Sequence, residues 1–254
     1  MKMIIKIFII FCILIGMYTW QSKQKENEHK QVKPVVLAEK IPLEKQYANN
    51  IILNDGKQVI QNPANGLALV NKQFELPAAY IPSGLARADV VYSFGSGQAE
   101  KALMRKDGAA ALEKMFAAAS REGIELAAVS GYRSYTRQRE VFQAEVRKNG
   151  EKAAWKVVAK PGQSEHQTGL TMDISSASNG YALSTEFEQT KEGKWLAKNA
   201  HLYGFILRYP KGKEQITGYS YEPWHFRYVG TKYADIMYKN KMTLEEFMDN
   251  VKSI

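Results

Sequence analysis

The spacing of apolar residues along the second half of the chain predicts helices. Between Leu103 and Glu122, apolar side chains recur every three or four positions, as on the buried face of a helix, and Gly123 provides a stop signal after them. Patterns of the same kind predict four further helices, which are Ser134–Lys148, Glu151–Val158, Thr185–His201 and Leu244–Val251.

Short apolar runs between these helices predict strands. Four of them are Ile124–Val129, Leu170–Ile174, Phe205–Leu207 and His225–Val229, and two shorter extended segments precede them at Val59–Ile60 and Leu67–Val70. Strands and helices do not alternate with the regular rhythm of a parallel βαβ sheet. The pattern therefore predicts an α+β fold, in which a small antiparallel sheet is flanked by helices.

The N-terminal segment has the pattern of an export signal. Lys2 and Lys6 flank or interrupt an apolar stretch, whose continuous part runs from Ile7 to Trp20, and the residues after it are abruptly polar. A basic start, an apolar middle and a polar exit are typical of such signals. The apolar part is shorter than the ~20 residues of a spanning helix, but the only small-x-small cleavage site before Gln21 is the weak Leu14-Ile15-Gly16. A cleaved signal peptide and an uncleaved signal-anchor therefore both remain open.

The chain thus divides into three predicted segments. Residues 1–20 form the signal peptide or signal-anchor, residues 21–45 a polar linker, and residues 46–254 the folded domain. We expect an extracytoplasmic protein, either membrane-anchored through its N-terminal segment or secreted to the cell wall. We also expect this protein to be a monomer.

Composition and charge narrow the partners of the domain. The 254 residues carry a formal net charge of +9, which favours anionic surroundings such as nucleic acid, a membrane or an acidic wall polymer. The sequence has no Gly-rich phosphate loop, no C-x-x-C pair and no arginine-rich helix, so nucleic acid is the least favoured of these. The single cysteine, Cys12, lies in the N-terminal apolar run, so a metal in the domain must be bound by histidines and carboxylates.

Most of the chemically useful residues lie in two short segments, Ser164–Asp173 and Glu222–His225. His166 lies in a predicted loop, Asp173 in the strand after it, and His225 in a second strand that can lie beside the first. Zinc in hydrolases takes three ligands from His, Asp or Glu and leaves its fourth position to water. These residues therefore predict a zinc site supported by a sheet.

Glu222 is the predicted general base of this site. It precedes His225 by three residues, and Pro223 between them disfavours a helix, so the carboxylate should lie near the metal without binding it. A general base needs that position to take a proton from the attacking water. Iron oxygenases use the same ligand types, but their first pair is closely spaced, whereas His166 and Asp173 are seven positions apart.

A third segment, Ser130–Gln138, joins a predicted strand to a predicted helix. Gly131 permits the turn and Ser134 can cap the helix. Arg133 has two interpretations, a surface ion pair or a cation above the active site. In the second, it stabilises an oxyanion or binds a substrate carboxylate through two hydrogen bonds.

Three sequence blocks together resemble the VanY-type D-alanyl-D-alanine carboxypeptidase family, which includes the LdcB-like L,D-carboxypeptidases. The blocks are S-G-Y-R-S-Y-x-x-Q, S-E-H-Q-x-G-x-x-x-D and E-P-W-H-F-R-Y-V-G, and the resemblance covers roughly residues 65 to 235. It implies a small zinc peptidase fold of the hedgehog and DD-peptidase type. The roles it implies are zinc ligands for His166, Asp173 and His225, catalytic base for Glu222, transition-state stabiliser for Arg133, substrate contact for Gln138, and pocket lining for Ser164 and Trp224.

The resemblance also implies an activity. The family hydrolyses the terminal D-Ala from peptidoglycan stem peptides, so residues 46–254 are expected to be a zinc carboxypeptidase domain that cleaves a D,D or an L,D bond in cell-wall maturation. The expected partners are stem peptides, Zn²⁺ and, through the N-terminal segment, the membrane. The alternatives are a peptidoglycan endopeptidase with the same zinc site and a non-catalytic wall-binding module.

Overall fold

The computed structural model describes residues 33–254. Its strands are β1 Ile41–Leu43, β2 Ile51–Asn54, β3 Lys57–Ile60, β4 Phe74–Glu75, β5 Leu85–Arg87, β6 Leu103–Arg105, β7 Ala127–Ser130, β8 Thr171–Ser175, β9 Phe205–Leu207, β10 His225–Tyr228 and β11 Val251–Ser253. Its α-helices are α1 Lys106–Arg121, α2 Tyr135–Asn149, α3 Glu151–Val157, α4 Lys191–Asn199, α5 Glu214–Thr217, α6 Thr231–Asn240 and α7 Leu244–Asp249. Within this range, none of the helices is apolar over a length that would cross a membrane. The predicted export signal, residues 1–20, lies outside the described residues.

A four-stranded antiparallel sheet with the strand order β7–β8–β10–β9 occupies the centre of the fold. All five residues of β8 are buried, so protein covers both faces of the sheet there. The register places His225 directly opposite Asp173, and Ser130 pairs with Asp173 from the other neighbouring strand. Side chains in such pairs are close enough to interact. The predicted α+β fold with a small antiparallel sheet is confirmed.

Helix α1 covers this sheet and forms the main core with it. Its buried face carries Leu112 and Met115, which belong to one apolar cluster with Met172 and Ile174 of β8. These four side chains are fully buried. The apolar face of α1 therefore packs against β8, the strand that carries Asp173.

Most predicted helices occur with small shifts at their ends, but two differ in kind. The helix predicted from Leu103 begins only at Lys106, because the residues before it pair with β5 as strand β6. The helix predicted for Thr185–His201 is broken. Thr190 accepts a hydrogen bond from the amide of Gly193 and so caps a new helix, and α4 is flanked by 3-10 turns on both sides.

The two ends of the described chain lie side by side. Strand β1 pairs in parallel with β11, and Leu43 is buried in a second apolar core with Phe247 of α7. Residues 34–45 thus belong to the folded unit, whereas the sequence predicted a solvated linker up to residue 45. The helix predicted to reach Val251 ends at Asp249, because Val251 begins strand β11, which pairs with β1. Pro42 interrupts β1 and the polar residues Lys252 and Ser253 belong to β11, so neither segment forms an apolar run that predicts a strand.

Candidate active site

Two neighbouring strands and the turn before one of them bring the three predicted metal-ligand residues together. Asp173 is the middle residue of β8, and His225 is the first residue of β10. His166 lies in a 3-10 turn, Glu165–Thr168, that leads into β8. Gly169 ends this turn in a left-handed conformation with φ +68°, where a Cβ would lie 2.9 Å from a neighbouring side chain. Glycine therefore allows the turn to end in this conformation, close against Leu85 of β5.

The side chains of His166, Asp173 and His225 face one another. Nε2 of His166 lies 3.4 Å from Oδ2 of Asp173, and Nδ1 of His225 lies 3.2 Å from Oδ1 of the same carboxylate. One ligand atom from each residue lies within 4.8 Å of the others. All three residues are buried. The arrangement is compact enough to hold one metal ion.

The chemistry of these donors fits zinc. Oδ1 of Asp173 is buried and has no hydrogen-bond partner among the described residues, which is costly for a carboxylate without a cation. Nδ1 of His166 donates to the carbonyl oxygen of Gly131 at 2.7 Å, so the Nε2 lone pair faces Asp173. Burial lowers the pKa of His166 to about 3, and the ring is neutral, as a metal ligand must be. Two imidazoles and one carboxylate are a ligand set of catalytic zinc.

The surroundings of His225 are negatively charged. Burial alone would lower the pKa of this histidine, but the carboxylates of Asp173 and Glu165 beside the ring raise it to about 9. The carboxylates around this ring therefore favour a positive charge in their vicinity. A metal cation supplies such a charge.

Glu222 lies beside the three predicted ligand residues. Its Oε2 is 3.5 Å from Nδ1 of His225, and a turn holds it there because the amide of His225 donates to the carbonyl oxygen of Glu222 at 3.2 Å. Burial, together with the charge of Asp173, raises the pKa of Glu222 to about 7. A carboxyl group with such a pKa is suited to take up and release protons near neutral pH.

Arg133 is held in place by two side chains. Its Nη1 donates to Oε1 of Gln138 at 3.0 Å and its Nη2 donates to Oγ of Ser130 at 3.1 Å. Gln138 is itself buried, and its Nε2 donates to the carbonyl oxygen of Ala159 at 2.7 Å. Gln138 thus connects Arg133 with the segment after α3, a contact that the sequence did not indicate.

All eight predicted site residues line one cavity of about 230 Å³. They are Arg133, Gln138, Ser164, His166, Asp173, Glu222, Trp224 and His225. Sequence reasoning missed Tyr209, Tyr219 and Glu165, which line the same cavity. Tyr209 packs on the His225 ring with 4.7 Å between the ring centroids. Tyr209 follows a predicted strand as an isolated aromatic residue, and nothing in the local sequence indicates that it contacts His225.

The geometry of the site defines a class of protein. A metal ion beside a carboxyl group with a raised pKa allows hydrolysis by an activated water, and the partly buried Arg133 nearby can stabilise negative charge. The class is that of the metal-dependent hydrolases.

Comparison with known proteins narrows this class to one family. The model of the VanY family, described as D-alanyl-D-alanine carboxypeptidase, matches residues 101–231. YodJ of Bacillus subtilis (strain 168), which is named as a carboxypeptidase, is 53% identical over 236 residues, which are 93% of this chain and 85% of YodJ. The chain belongs to the VanY family of D-alanyl-D-alanine carboxypeptidases.

Solved structures of relatives have the same fold. The structure of the LdcB LD-carboxypeptidase is 56% identical in sequence with a TM-score of 0.81, and the match covers 84% of this chain and 99% of that one. A mutant of the vancomycin-resistance D,D-pentapeptidase VanY in complex with Zn(II) is 33% identical with a TM-score of 0.60, over 72% of this chain and 98% of that one. These similarities confirm the peptidase fold predicted from the three sequence blocks.

Proposed function

We propose that this protein is a zinc-dependent carboxypeptidase that hydrolyses the terminal D-Ala from peptidoglycan stem peptides. The observation that carries the proposal is the buried cluster of His166, Asp173 and His225 in the wall of a cavity that Glu222 and Arg133 also line. The description of the family supports the substrate class. The zinc bound to a VanY relative supports the choice of metal.

In the proposed mechanism, three residues hold the metal and Glu222 transfers the protons. Zinc held by His166, Asp173 and His225 would polarise the scissile carbonyl as a Lewis acid and increase the acidity of the attacking water. Glu222 accepts the proton of this water while the oxygen attacks the carbonyl carbon. When the C–N bond breaks, the same carboxyl group gives the proton to the amine of the leaving D-Ala.

Arg133 is the cation of the proposed site. Only two of the five N–H donors of its guanidinium group are used by side chains of the described part of the chain, namely those of Gln138 and Ser130. The others are available for the oxyanion that develops in the transition state or for the terminal carboxylate of the substrate. Ser164 and Trp224 are proposed to contact the substrate from the cavity wall.

The L,D bond of a tetrapeptide is the proposed preferred target. The chain is more similar to the LdcB LD-carboxypeptidase than to the D,D-pentapeptidase VanY, both in sequence and in structure. The proposed catalytic residues do not distinguish a D,D bond from an L,D bond, because hydrolysis of either needs the same base and the same Lewis acid. Specificity must therefore come from the rest of the cavity.

Stem peptides lie outside the cytoplasmic membrane, so the proposed activity requires export of the domain. The basic and apolar pattern of residues 1–20 supports this. We extend the proposal to an extracytoplasmic monomer that residues 1–20 either anchor in the membrane or release to the cell wall after cleavage.

Mass spectrometry of products from purified penta- and tetrapeptides tests the proposal. Zinc-loaded protein should release one alanine from the tetrapeptide faster than from the pentapeptide, and removal of zinc by a chelator should stop the reaction. Cleavage of cross-linked dimers without loss of a terminal alanine would indicate an endopeptidase. If no substrate is cleaved, the proposed activity is refuted, and a non-catalytic wall-binding module is the remaining alternative.

A further inference from the structure

A buried ionic network lies directly behind His225. Glu165 and the two arginines next to it, Arg208 and Arg227, are almost completely inaccessible to solvent. Oε1 of Glu165 accepts hydrogen bonds from Nε of Arg208 and from Nη1 of Arg227, each at 2.8 Å. Burial by itself would raise the pKa of Glu165, but the two arginines hold it well below the usual range. Glu165 is therefore a carboxylate with one oxygen fixed by two cations.

The second oxygen of Glu165 faces the candidate metal site. Oε2 lies 3.6 Å from Nε2 of His225. Both atoms are buried, and neither has another hydrogen-bond partner among the described residues. On the opposite side of the imidazole ring, Nδ1 faces Asp173 at 3.2 Å. The ring thus lies between a carboxylate that faces Nε2 and a metal site that faces Nδ1.

We propose that Glu165 is a positioning residue that accepts the Nε2 proton of His225 and thereby directs the Nδ1 lone pair at the metal. This inference rests on the proposed metal site. A metal-binding histidine needs one nitrogen free of a proton, and the hydrogen bond of its other nitrogen selects the tautomer and the ring orientation. The distance of 3.6 Å must shorten by about 0.5 Å for a normal hydrogen bond to form.

A role limited to neutralising the arginines explains the network less well. Arg208 already has a second acid, because its Nη1 and Nη2 donate to the two carboxylate oxygens of Glu245 in α7. Arg227 donates through Nη2 to the carbonyl oxygens of Gly66 and Ala68. A carboxylate that served only these cations would direct both oxygens at them. Glu165 instead directs one oxygen at His225.

Glu245 is a matched control for Glu165. Both are buried acids bound to Arg208, but Glu245 contacts Arg208 and Asn71 and is not part of the cavity wall. The substitutions Glu165→Gln and Glu245→Gln each remove one negative charge from the same network with almost no change in volume. Only the first changes the group that faces His225.

The experiment measures zinc affinity of metal-free full-length protein by competition with a chromophoric chelator. Glu165→Gln should bind zinc about 10- to 100-fold more weakly than the unchanged protein, as is typical when a residue behind a metal ligand is replaced. Glu245→Gln should stay within about threefold, even where thermal unfolding shows that both variants lose stability. Zinc binding by Glu165→Gln within threefold of the unchanged protein, or an equal loss in both variants, would overturn the inference.

A second measurement does not depend on the folding of any variant. In zinc-loaded unchanged protein with ¹⁵N-labelled histidine, the NMR spectrum should show His225 with its proton on Nε2. A proton on Nδ1 would overturn the inference. The zinc affinities and the tautomer are read without substrate, so a protein that shows them but cleaves no stem peptide refutes the proposed function and leaves the role of Glu165 intact.

Discussion

Replacing Gln138 by methionine removes two hydrogen bonds and keeps the length of the side chain. The lost contacts are those with Nη1 of Arg133 at 3.0 Å and with the carbonyl oxygen of Ala159 at 2.7 Å. A hydrogen bond to a charged group contributes about 1.5–3 kcal/mol. If Gln138 acts by holding Arg133 in its catalytic orientation, kcat/KM should therefore fall by about 10- to 150-fold.

A double-mutant cycle distinguishes this role from a direct substrate contact. We would measure kcat/KM on the tetrapeptide for Gln138→Met, Arg133→Ala and the double variant. Because Gln138 is expected to act through Arg133, its replacement should cost less than about threefold once Arg133 is gone. Losses that multiply in the double variant would refute the reasoning and support the substrate contact that the sequence blocks imply.

Two further predictions concern the scaffold. Leu112→Ala should lower the free energy of unfolding by about 2–5 kcal/mol in denaturant titrations, because Leu112 is fully buried; a loss below 1 kcal/mol would contradict its place in the core. Burial would raise the pKa of Glu246, but hydrogen bonds from Lys213 and from the amides of Thr243 and Val35 lower it. The stability that its charge contributes is therefore present above its unfolded pKa of about 4.3 and lost as pH falls through the lower folded value. The stability difference between Glu246→Gln and the unchanged protein should accordingly shrink in thermal unfolding below pH 4, and a difference that grows on acidification would refute this.

The three candidate metal-binding residues could be selected from the sequence because their chemistry is concentrated in short segments. His166 and Asp173 lie in one short segment, and Glu222 and His225 lie in another. The local sequence therefore predicts that the members of each pair lie near each other. The structure adds the direct pairing of Asp173 with His225 across two strands. This pairing depends on strand order, which apolar spacing does not determine.

The residues behind the site were not predictable from local sequence. Glu165 is bound to Arg208 and Arg227, which are more than 40 positions away along the chain. In the sequence each of these three is an isolated charge, and such residues are usually exposed. Only the packing of β9 and β10 against the turn before β8 brings them together, so tertiary structure is needed to find them.

The most direct test of the account is the turnover of the tetrapeptide by zinc-loaded Glu222→Gln. The substitution keeps the shape of the side chain and leaves His166, Asp173 and His225 in place, so the protein should still bind one zinc ion. Loss of the general base should reduce kcat by about 10²- to 10⁴-fold. Turnover within threefold of the unchanged protein, with zinc bound, would contradict the assignment of Glu222 and the mechanism built on it.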